Sequence, residues 1–332
     1  MKVVVTGGSG FIGSHVVDAL VDAGADVTVV DHRVPPRRDD VGYEDADILD
    51  LSSMLVATQG AEHIFHLGAE ANVDYAFKYP VYSTALNVMG TTNVLEAARI
   101  NGAKRVHLAS TVWVYNDSTG EGAADESVTF AMNGGGHIYT TTKMTCEMLC
   151  HNYRELYGLP TTVLRYGIPY GPRMREELLI PIFLKKALAG EPLTVAGEGQ
   201  QYRNFVYVRD LADAHVLAMS ELAENETYNL EGARKVTVLE VAENIRALVG
   251  DHVRIEFTPE RAGDFAGKEI SADKAIRELG WKRSVDFEEG LERTVEWFCG
   301  KWGHSQSVAP GLGTLHQPPQ PLRDDRQGGR AR

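Results

Sequence analysis

Tyr139 and Lys143 are the two residues of this sequence whose types and spacing most directly suggest catalysis. Residues four apart in a helix share one face, so the phenol and the ammonium group would be neighbours. A nearby ammonium favours the phenolate and lowers the pKa of a tyrosine from its usual value near 10. Such a tyrosine can take the proton of an alcohol while hydride leaves the same carbon. The spacing also occurs on ordinary solvated helix faces, so the prediction depends on the residues that precede it.

A serine–threonine pair ends an apolar segment 28 residues before the tyrosine. The segment Arg105–Ser110 is predicted to be a buried strand. Hydroxyl groups at the carboxyl end of such a strand face the ligand cleft of a parallel sheet. Ser110 and Thr111 are therefore candidate hydrogen-bond partners of the reacting oxygen, although a strand followed by a turn would account for them without function.

A glycine-rich turn near the start of the chain predicts a dinucleotide-binding site. Gly7, Gly10 and Gly13 lie between the predicted strand Lys2–Thr6 and a helix. Glycine permits a tight turn and close approach of the backbone to pyrophosphate, and the helix N-terminus attracts the phosphates. Asp31 ends the next predicted strand, 18 residues after Gly13, and is placed to accept the ribose hydroxyls.

The predicted cofactor is NAD. A carboxylate at Asp31 would repel the 2′-phosphate of NADP, whereas the neighbouring Arg33 leaves NADP as an alternative. Asp47 and Ile48 follow the next short strand and are expected near the adenine edge.

Apolar segments alternate with helical periodicity through the first half of the chain, which predicts an α/β fold with a Rossmann-type doubly wound parallel sheet. The predicted strands are Lys2–Thr6, Asp26–Asp31, His63–Ala69, Arg105–Ser110 and Thr161–Arg165. The predicted helices are Ile12–Ala23, Ser83–Ile100 and Tyr139–Tyr157.

After Tyr170 the pattern becomes less regular, which predicts a smaller α/β substrate-binding domain. Its predicted elements are the helices Ile182–Ala189 and Leu239–Leu248 and the strand Arg203–Val208. The expected domains are residues 1–168 for NAD, 169–304 mainly for substrate with some chain returning to the first domain, and 305–332 as a disordered tail.

The composition excludes several function classes. The chain has 332 residues, and 33 Lys and Arg against 46 Asp and Glu give a formal net charge of −13. This acid surplus argues against nucleic acid or an anionic membrane as a partner. We recognise no membrane-spanning run and no signal peptide. The three cysteines, Cys146, Cys150 and Cys299, predict buried thiols in a reducing cytoplasm and no metal site.

Several further motifs follow in order, and with those above they resemble the extended short-chain dehydrogenase/reductases of the nucleotide-sugar epimerase/dehydratase group, which includes UDP-glucose 4-epimerase. The motifs are Thr6–Gly13, His66–Ala69, Asn87–Thr91, Ser110-Thr111, Tyr139 with Lys143, Leu164–Pro172, Arg203–Asp210, Arg261–Asp264 and Leu279–Trp281. The resemblance extends from residue 2 to about residue 298.

The resemblance implies roles for individual residues. Thr111, Tyr139 and Lys143 would be catalytic, with Tyr139 taking the proton of a sugar hydroxyl, commonly the 4-hydroxyl. The implied cofactor residues are Gly7, Gly10, Phe11, Ile12, Gly13, Asp31, His32, Asp47, Ile48, Leu67, Gly68, Ala69, Asn87, Ser110, Tyr139, Lys143 and Tyr166. The implied substrate residues are Thr111, Tyr139, Ile168, Arg203, Arg261 and Asp264, with the two arginines gripping a nucleotide diphosphate. A homodimer through Ser83–Ile100 and Tyr139–Tyr157 is also implied.

Three departures from the family pattern bear on the reaction. Dehydratases and decarboxylases of the group carry acids directly after the Ser-Thr pair, whereas this chain has Val112 and Trp113. Ile168 replaces the usual asparagine and offers the substrate only an apolar wall. Three glycines precede His137, which is expected to be a solvated loop residue with substrate contact as the alternative.

These observations predict an NAD-dependent nucleotide-sugar epimerase acting at C4 through a transient keto-sugar. The alternatives are a nucleotide-sugar decarboxylase, dehydratase or reductase on the same fold, or a non-catalytic NAD-binding protein. The Tyr139 and Lys143 pair argues against the last of these.

Overall fold

Parallel strands joined by helices dominate the structure. The computed structural model describes residues 1–32, 34–116, 122–131, 135–259 and 269–305. Its strands are β1 (Lys2–Thr6), β2 (Asp26–Asp31), β3 (Gly42–Asp45), β4 (His63–His66), β5 (Arg105–Thr111), β6 (Thr161–Tyr166), β7 (Ile168–Tyr170), β8 (Leu193–Ala196), β9 (Tyr202–Arg203), β10 (Phe205–Tyr207), β11 (Thr227–Leu230), β12 (Val236–Thr237) and β13 (Ile255–Thr258).

The helices fill the connections between these strands. They are α1 (Phe11–Asp22), α2 (Leu51–Ala57), α3 (Val73–Lys78), α4 (Pro80–Thr84), α5 (Gly90–Asn101), α6 (Ile138–Tyr157), α7 (Leu179–Leu188), α8 (Val208–Leu217), α9 (Val238–Val249), α10 (Asp273–Leu279) and α11 (Phe287–Ser305). A π-helical segment, Ala85–Met89, joins α4 to α5, and 3₁₀ turns cover Val112–Tyr115 and Glu221–Ala223.

The main sheet has seven parallel strands in the order β11-β6-β5-β4-β1-β2-β3. Val3, Val4 and Val5 of β1 have no exposed surface, because helices cover both faces of the sheet. The strand order reverses between β1 and β4, and this switch point is where such sheets bind ligands. The predicted fold class is therefore confirmed.

The second half of the chain builds three two-stranded sheets around its own core. The sheets pair β7 with β10, β8 with β13 and β9 with β12. Their apolar core includes Phe183, Leu193 and Ile245, and Phe11 at the start of α1 packs against it. The predicted domain boundaries stay a prediction, and apart from Ser305, the last residue of α11, the predicted tail lies outside the described residues.

Some predicted elements differ from the observed ones. The strand predicted as His63–Ala69 ends at His66, because residues 67–69 leave the sheet in a loop. The helix predicted as Ser83–Ile100 is interrupted by the π-helical segment, and the strand predicted as Arg203–Val208 is divided between β9 and β10. Cys146 and Cys150 are buried, but the burial predicted for Cys299 is wrong. Cys299 lies at the edge of the apolar stripe of α11 and is exposed.

Neither a membrane span nor a metal-binding cluster is found in the part of the chain that the structure describes. No described helix combines the length and apolar character needed to cross a bilayer. No group of three or more His, Cys, Asp or Glu among the same residues could hold a metal ion.

A buried ion pair fixes α6 to the sheet. Glu147 of α6 and Arg165 of β6 are 2.7 Å apart, with their side chains only 7% and 6% exposed. The Ser110 hydroxyl donates to the Glu147 carboxylate, and Arg165 donates to the Tyr115 hydroxyl. Tyr115 in turn donates to Asn229 of β11 over 2.9 Å. The network therefore ties α6 to β5, β6 and β11.

Removing one member of this pair should be more damaging than removing both. Glu147→Ala leaves the Arg165 guanidinium buried without its counter-charge, and we expect the free energy of unfolding to fall by about 3–5 kcal/mol. Glu147→Leu combined with Arg165→Met should recover most of that loss. Chemical denaturation measures both, with the exposed Glu155→Ala as a control that changes stability by less than about 1 kcal/mol. A Glu147→Ala protein as stable as the control would contradict the structural role of the pair.

Candidate active site and cofactor cradle

The structure brings Thr111, Tyr139 and Lys143 together at the carboxyl end of β5. The Thr111 hydroxyl hydrogen-bonds Tyr139 at the start of α6. One turn later, Lys143 Nζ donates to the carbonyl oxygen of Ala109 over 2.9 Å. Thr111 and Lys143 are buried, and Tyr139 is partly exposed. The three residues predicted to be catalytic are thus neighbours.

The protonation of Tyr139 differs from the sequence prediction. Burial raises the pKa of Tyr139 to about 12, while the hydrogen bond from Thr111 and the charge of Arg175 act in the opposite direction. The predicted lowering by Lys143 is wrong for this arrangement, because desolvation dominates and the ammonium is held by the Ala109 carbonyl. Burial also lowers the pKa of Lys143 itself. Arg175, which sequence reasoning missed, is the cation that favours the phenolate among the described residues.

Two aromatic side chains enclose Tyr139. The ring of Trp113 meets the Tyr139 ring edge-on with centroids 6.2 Å apart, and the His137 ring stacks at 6.2 Å. His137 also caps α6, because its Nδ1 accepts the Thr140 N–H over 3.2 Å. His137 is therefore a half-buried loop residue that the cap and the rings hold in place, not a freely solvated one. Trp113 places an apolar surface beside the phenol.

The glycine turn forms a cradle with no room for side chains. Gly7 has φ +70°, and a Cβ there would lie 2.7 Å from the Gly68 nitrogen. A Cβ on Gly13 would lie 2.1 Å from the Gly7 oxygen. Gly10 is exposed at the N-terminus of α1, where φ −71° and ψ −176° give it an extended backbone. This crowding behind an open helix end fits the pyrophosphate of a dinucleotide.

Asp31 lies at the carboxyl end of β2, next to this cradle. Its carboxylate accepts the Ser9 N–H over 3.1 Å, and burial raises its pKa. The neighbouring His32 is exposed, and Arg33 lies outside the described residues. The position of Asp31 suits the ribose hydroxyls of a dinucleotide.

A polar cluster supports the loop that contains Leu67, Gly68 and Ala69. Asn87, in the π-helical segment, accepts the Glu70 N–H over 2.7 Å and donates to the Glu70 oxygen over 3.0 Å. Its amide also donates to the Thr142 hydroxyl of α6. Asn87 therefore fixes the position of the loop relative to α6.

Asp47 and Ile48, also predicted to meet the cofactor, lie between β3 and α2. A Cβ on Gly90 would lie 2.6 Å from the Ile48 side chain, so Ile48 fills the space beside this glycine. Asp47 accepts the N–H of Leu49 over 2.9 Å. His66 is hydrogen-bonded to Thr6 and Thr91, and burial lowers its pKa to about 3, so it stays neutral.

Two of the hydroxyls expected at the cofactor are engaged inside the protein. Ser110 follows the strand alternation and points away from Thr111, toward Glu147. The Tyr166 hydroxyl is 2.6 Å from Nε2 of His215. These hydroxyls thus already have protein partners.

The predicted substrate residues are brought together only in part. Ile168 of β7 pairs with Phe205 of β10, two residues after Arg203, so the two predicted residues are brought near each other although they belong to different two-stranded sheets. Arg203 also pairs through β9 with Val236. Arg261 and Asp264 lie outside the described residues.

Comparison with known proteins agrees with this geometry. A family model described as the NAD-dependent epimerase/dehydratase family matches residues 3–230. The chain belongs to this family. It is 32% identical to dTDP-glucose 4,6-dehydratase of Shigella flexneri, over 94% of this chain and 96% of the relative. It is also 32% identical to UDP-glucuronic acid decarboxylase 1 of Danio rerio, over 91% and 74% of the two chains.

A solved structure of the family supports the cofactor assignment. The UDP-glucose 4-epimerase of Thermus thermophilus, in complex with NAD, has a TM-score of 0.80 and 31% identity over 90% of this chain and 99% of that chain. The cofactor of the present protein is NAD, and its glycine cradle and Asp31 fit that molecule. The protein is an NAD-dependent enzyme of nucleotide-sugar modification.

The role of Asp31 in cofactor choice can be tested with an isosteric change. Asp31→Asn keeps an oxygen for the Ser9 N–H but removes the charge that would repel a 2′-phosphate. We expect the ratio of NADP to NAD affinity to rise at least about tenfold, equivalent to about 1.4 kcal/mol. Isothermal titration measures both affinities, and Asp26→Asn at the exposed start of the same strand is the matched control. An unchanged ratio would remove Asp31 from the ribose site.

Proposed function

We propose that the protein is a nucleotide-sugar epimerase that inverts C4. The observation that carries this proposal is the contact between Trp113 and Tyr139. It puts an indole, which cannot exchange a proton, beside the phenol, where dehydratases and decarboxylases of the group carry acids. An epimerase oxidises and then reduces the same carbon, which needs only the Tyr139 hydroxyl as proton carrier and NAD as hydride carrier.

Tyr139 acts as both base and acid in this scheme. NAD, when bound, supplies the hydride acceptor and later the hydride donor. The Tyr139 phenolate takes the proton of the 4-hydroxyl as the C4 hydride leaves, which produces the 4-keto sugar and the neutral phenol. After the sugar turns over in the site, Tyr139 returns the proton to the C4 oxygen while hydride returns to the opposite face. Atoms and electrons therefore balance with no net redox change.

Thr111, Lys143 and Arg175 prepare Tyr139 for this work. The Thr111 hydroxyl orients the phenol, and the Arg175 charge opposes the rise of its pKa caused by burial. The Lys143 ammonium, held by the Ala109 carbonyl, adds positive charge on the same helix. Arg203 and Arg261 are proposed to bind the diphosphate, since guanidinium groups pair with phosphate in a bidentate way.

The assignment of the base predicts the effect of one hydroxyl group. Tyr139→Phe should reduce turnover by about 10²–10⁴-fold, the usual contribution of general acid–base catalysis, while NAD affinity changes little. Turnover is measured by NMR on UDP- and dTDP-hexoses, and NAD affinity by titration. Tyr157→Phe, at the exposed end of the same helix, should match the wild type. Retained turnover in Tyr139→Phe would disprove the assignment.

Product analysis on the UDP and dTDP derivatives of hexoses and of hexuronic acids, whose carboxylate a decarboxylase would release, separates the reactions of the family. An epimer with unchanged mass supports the proposal. A product lighter by water indicates a dehydratase, CO₂ release a decarboxylase, and net NADH formation a dehydrogenase, each of which would contradict it.

We also propose a homodimer formed by α3, α4 and α6. These helices pack on one another and leave large apolar side chains exposed. Phe77 and Val81 are each 83% exposed, and Met148 and Leu156 are 61% and 71% exposed. A second copy of the chain would remove this apolar surface from water.

A charge placed on this surface should separate the subunits. Met148→Glu puts a carboxylate into the proposed interface, and we expect the mass measured by light scattering to fall from about 73 kDa to the monomer value of 36.4 kDa. Val56→Glu, at an exposed apolar residue of α2, is the control and should leave the mass unchanged. A monomeric wild type, or a dimer in both variants, would exclude this interface.

A further inference from the structure

Glu231 is a buried acid that the proposed reaction does not use. It directly follows β11, whose last residue Leu230 pairs with Tyr166 at the carboxyl end of β6. Only 4% of Glu231 is exposed. It therefore lies at the carboxyl-end edge of the sheet, one strand from Tyr166 of β6 and two strands from Thr111 of β5.

The carboxyl group of Glu231 lies directly on the backbone of Gly167. A Cβ on Gly167 would be 2.6 Å from Glu231 Oε1 and 2.9 Å from Oε2, distances that a real side chain could not adopt. Gly167 lies between Tyr166 and Ile168. Tyr166 interacts electrostatically with Tyr139, and Ile168 is predicted to face the sugar. The acid thus occupies the space that a side chain at residue 167 would otherwise fill beside the sugar site.

The backbone that follows Glu231 packs against Asn204 and Phe205, where β10 begins. A Cβ on Gly232 would be 2.2 Å from the Phe205 oxygen and 2.8 Å from the Asn204 carbonyl carbon. The Oδ1 atom of Asn204 is buried and has no hydrogen-bond partner among the residues that the structure describes. Arg203 directly precedes it. Two buried polar groups, an acid and an amide, therefore lie between the segments predicted to hold the substrate.

Glu231 is poorly satisfied by the protein. Among the described residues its carboxylate accepts one hydrogen bond, from the Gly232 N–H, at a long 3.3 Å. The charged side chain that acts on it is Arg283, whose guanidinium donates to the Gly232 oxygen over 3.2 Å. Burial outweighs that charge and raises the pKa of Glu231 to about 8. Buried polar groups without good partners are uncommon and call for a ligand or another explanation.

We propose that Glu231 is a specificity-determining residue of the sugar site, where it hydrogen-bonds the hydroxyl groups of a neutral sugar and disfavours sugars that carry a carboxylate. The inference rests on the proposed function, in which the site holds a nucleotide sugar. Sugar hydroxyls both donate and accept, so they satisfy the acid in either protonation state.

A uronic acid sugar lacks that flexibility. Its carboxylate only accepts hydrogen bonds, and it would need a cationic partner in a buried site. The arginines of this region have other partners in the scheme, since Arg283 donates to the Gly232 oxygen and Arg203 is assigned to the diphosphate. The groups left beside the sugar are the carboxyl of Glu231 and the apolar side chain of Ile168. Once Glu231 ionises, the two carboxylates repel each other at short range.

The test compares wild type with Glu231→Gln, a nearly isosteric change that cannot ionise. Calorimetry gives the affinities of glucose and glucuronic acid, each as the UDP and dTDP derivative, and of UDP and dTDP alone, at pH 6.5 and 9.0. Every protein compared is loaded with NAD and carries Tyr139→Phe, so that the bound sugar is not converted. The wild type should prefer the neutral sugar. Between pH 6.5 and 9.0 its affinity for the glucuronic acid derivative should fall about tenfold more than its affinity for the glucose derivative, as expected for a group with pKa about 8.

In Glu231→Gln the preference for the glucose derivative should weaken, and the affinity for the glucuronic acid derivative should no longer depend on pH. The affinities for UDP and dTDP should stay unchanged. Tyr166 stays neutral in this range because burial raises its pKa well above 10. Glu221→Gln, on the exposed 3₁₀ turn before β11, should behave as the wild type. If Glu231→Gln is unfolded by circular dichroism, Gly167→Ala combined with Glu231→Gly provides the same comparison.

The proposal is overturned if the wild type binds neither sugar or prefers glucuronic acid. It is also overturned if the affinities for both sugar derivatives change equally with pH and with Glu231→Gln. The same holds if the affinities for UDP and dTDP alone fall together with those for the sugar derivatives. Because binding is measured without turnover, these results do not depend on which reaction the enzyme catalyses. A dehydratase or decarboxylase product would contradict the proposed epimerase reaction and leave the binding result to decide the role of Glu231.

Discussion

The chemistry of this protein depends on the alignment of one helix with one strand. Three consecutive residues of β5 each engage a different turn of α6. The Ala109 carbonyl holds Lys143, the Ser110 hydroxyl holds Glu147, and Thr111 holds Tyr139. Together these contacts fix the position of the helix along the strand. A shift of α6 by one turn would break all three, so the helix has one favourable position.

Burial is the main influence on the pKa values of the reactive groups that this alignment brings together. The phenol of Tyr139 and the ammonium of Lys143 both lose solvation, which favours their neutral forms. The buried ion pair of Glu147 and Arg165 provides a permanent charge pair nearby that does not need to change during the reaction. The site therefore combines fixed structural charges with reactive groups whose charged forms burial disfavours.

The sequence predicts those parts of the site that depend on local patterns. The glycine turn, Asp31 and the Tyr139–Lys143 spacing are found where the patterns place them, because each is set within one strand–turn–helix unit. Contacts between distant segments could not be predicted. The Glu147–Arg165 pair joins residues from a helix and a strand, and the π-helical turn at Asn87 leaves no periodic signal in a short sequence.

The limits of local patterns are clearest for charge. From spacing alone Lys143 should acidify Tyr139, yet the fold turns the ammonium to a carbonyl and brings in Arg175 from a loop 36 residues later in the chain. In the same way, β11 returns to the sheet from the second half of the chain and carries Glu231 to the ligand edge. Both residues are separated from Tyr139 in sequence and become relevant only through the sheet order.

The fit between Gly167 and Glu231 has a consequence for how such a site can change. The space on the Gly167 backbone can hold either a side chain at residue 167 or the carboxyl group of residue 231, but not both. A larger residue at 167 would clash while Glu231 is present, and a small residue at 231 would leave a cavity while Gly167 is present. Divergence at these two positions must therefore pass through a less stable intermediate, so the pair is expected to change together among descendants of this chain.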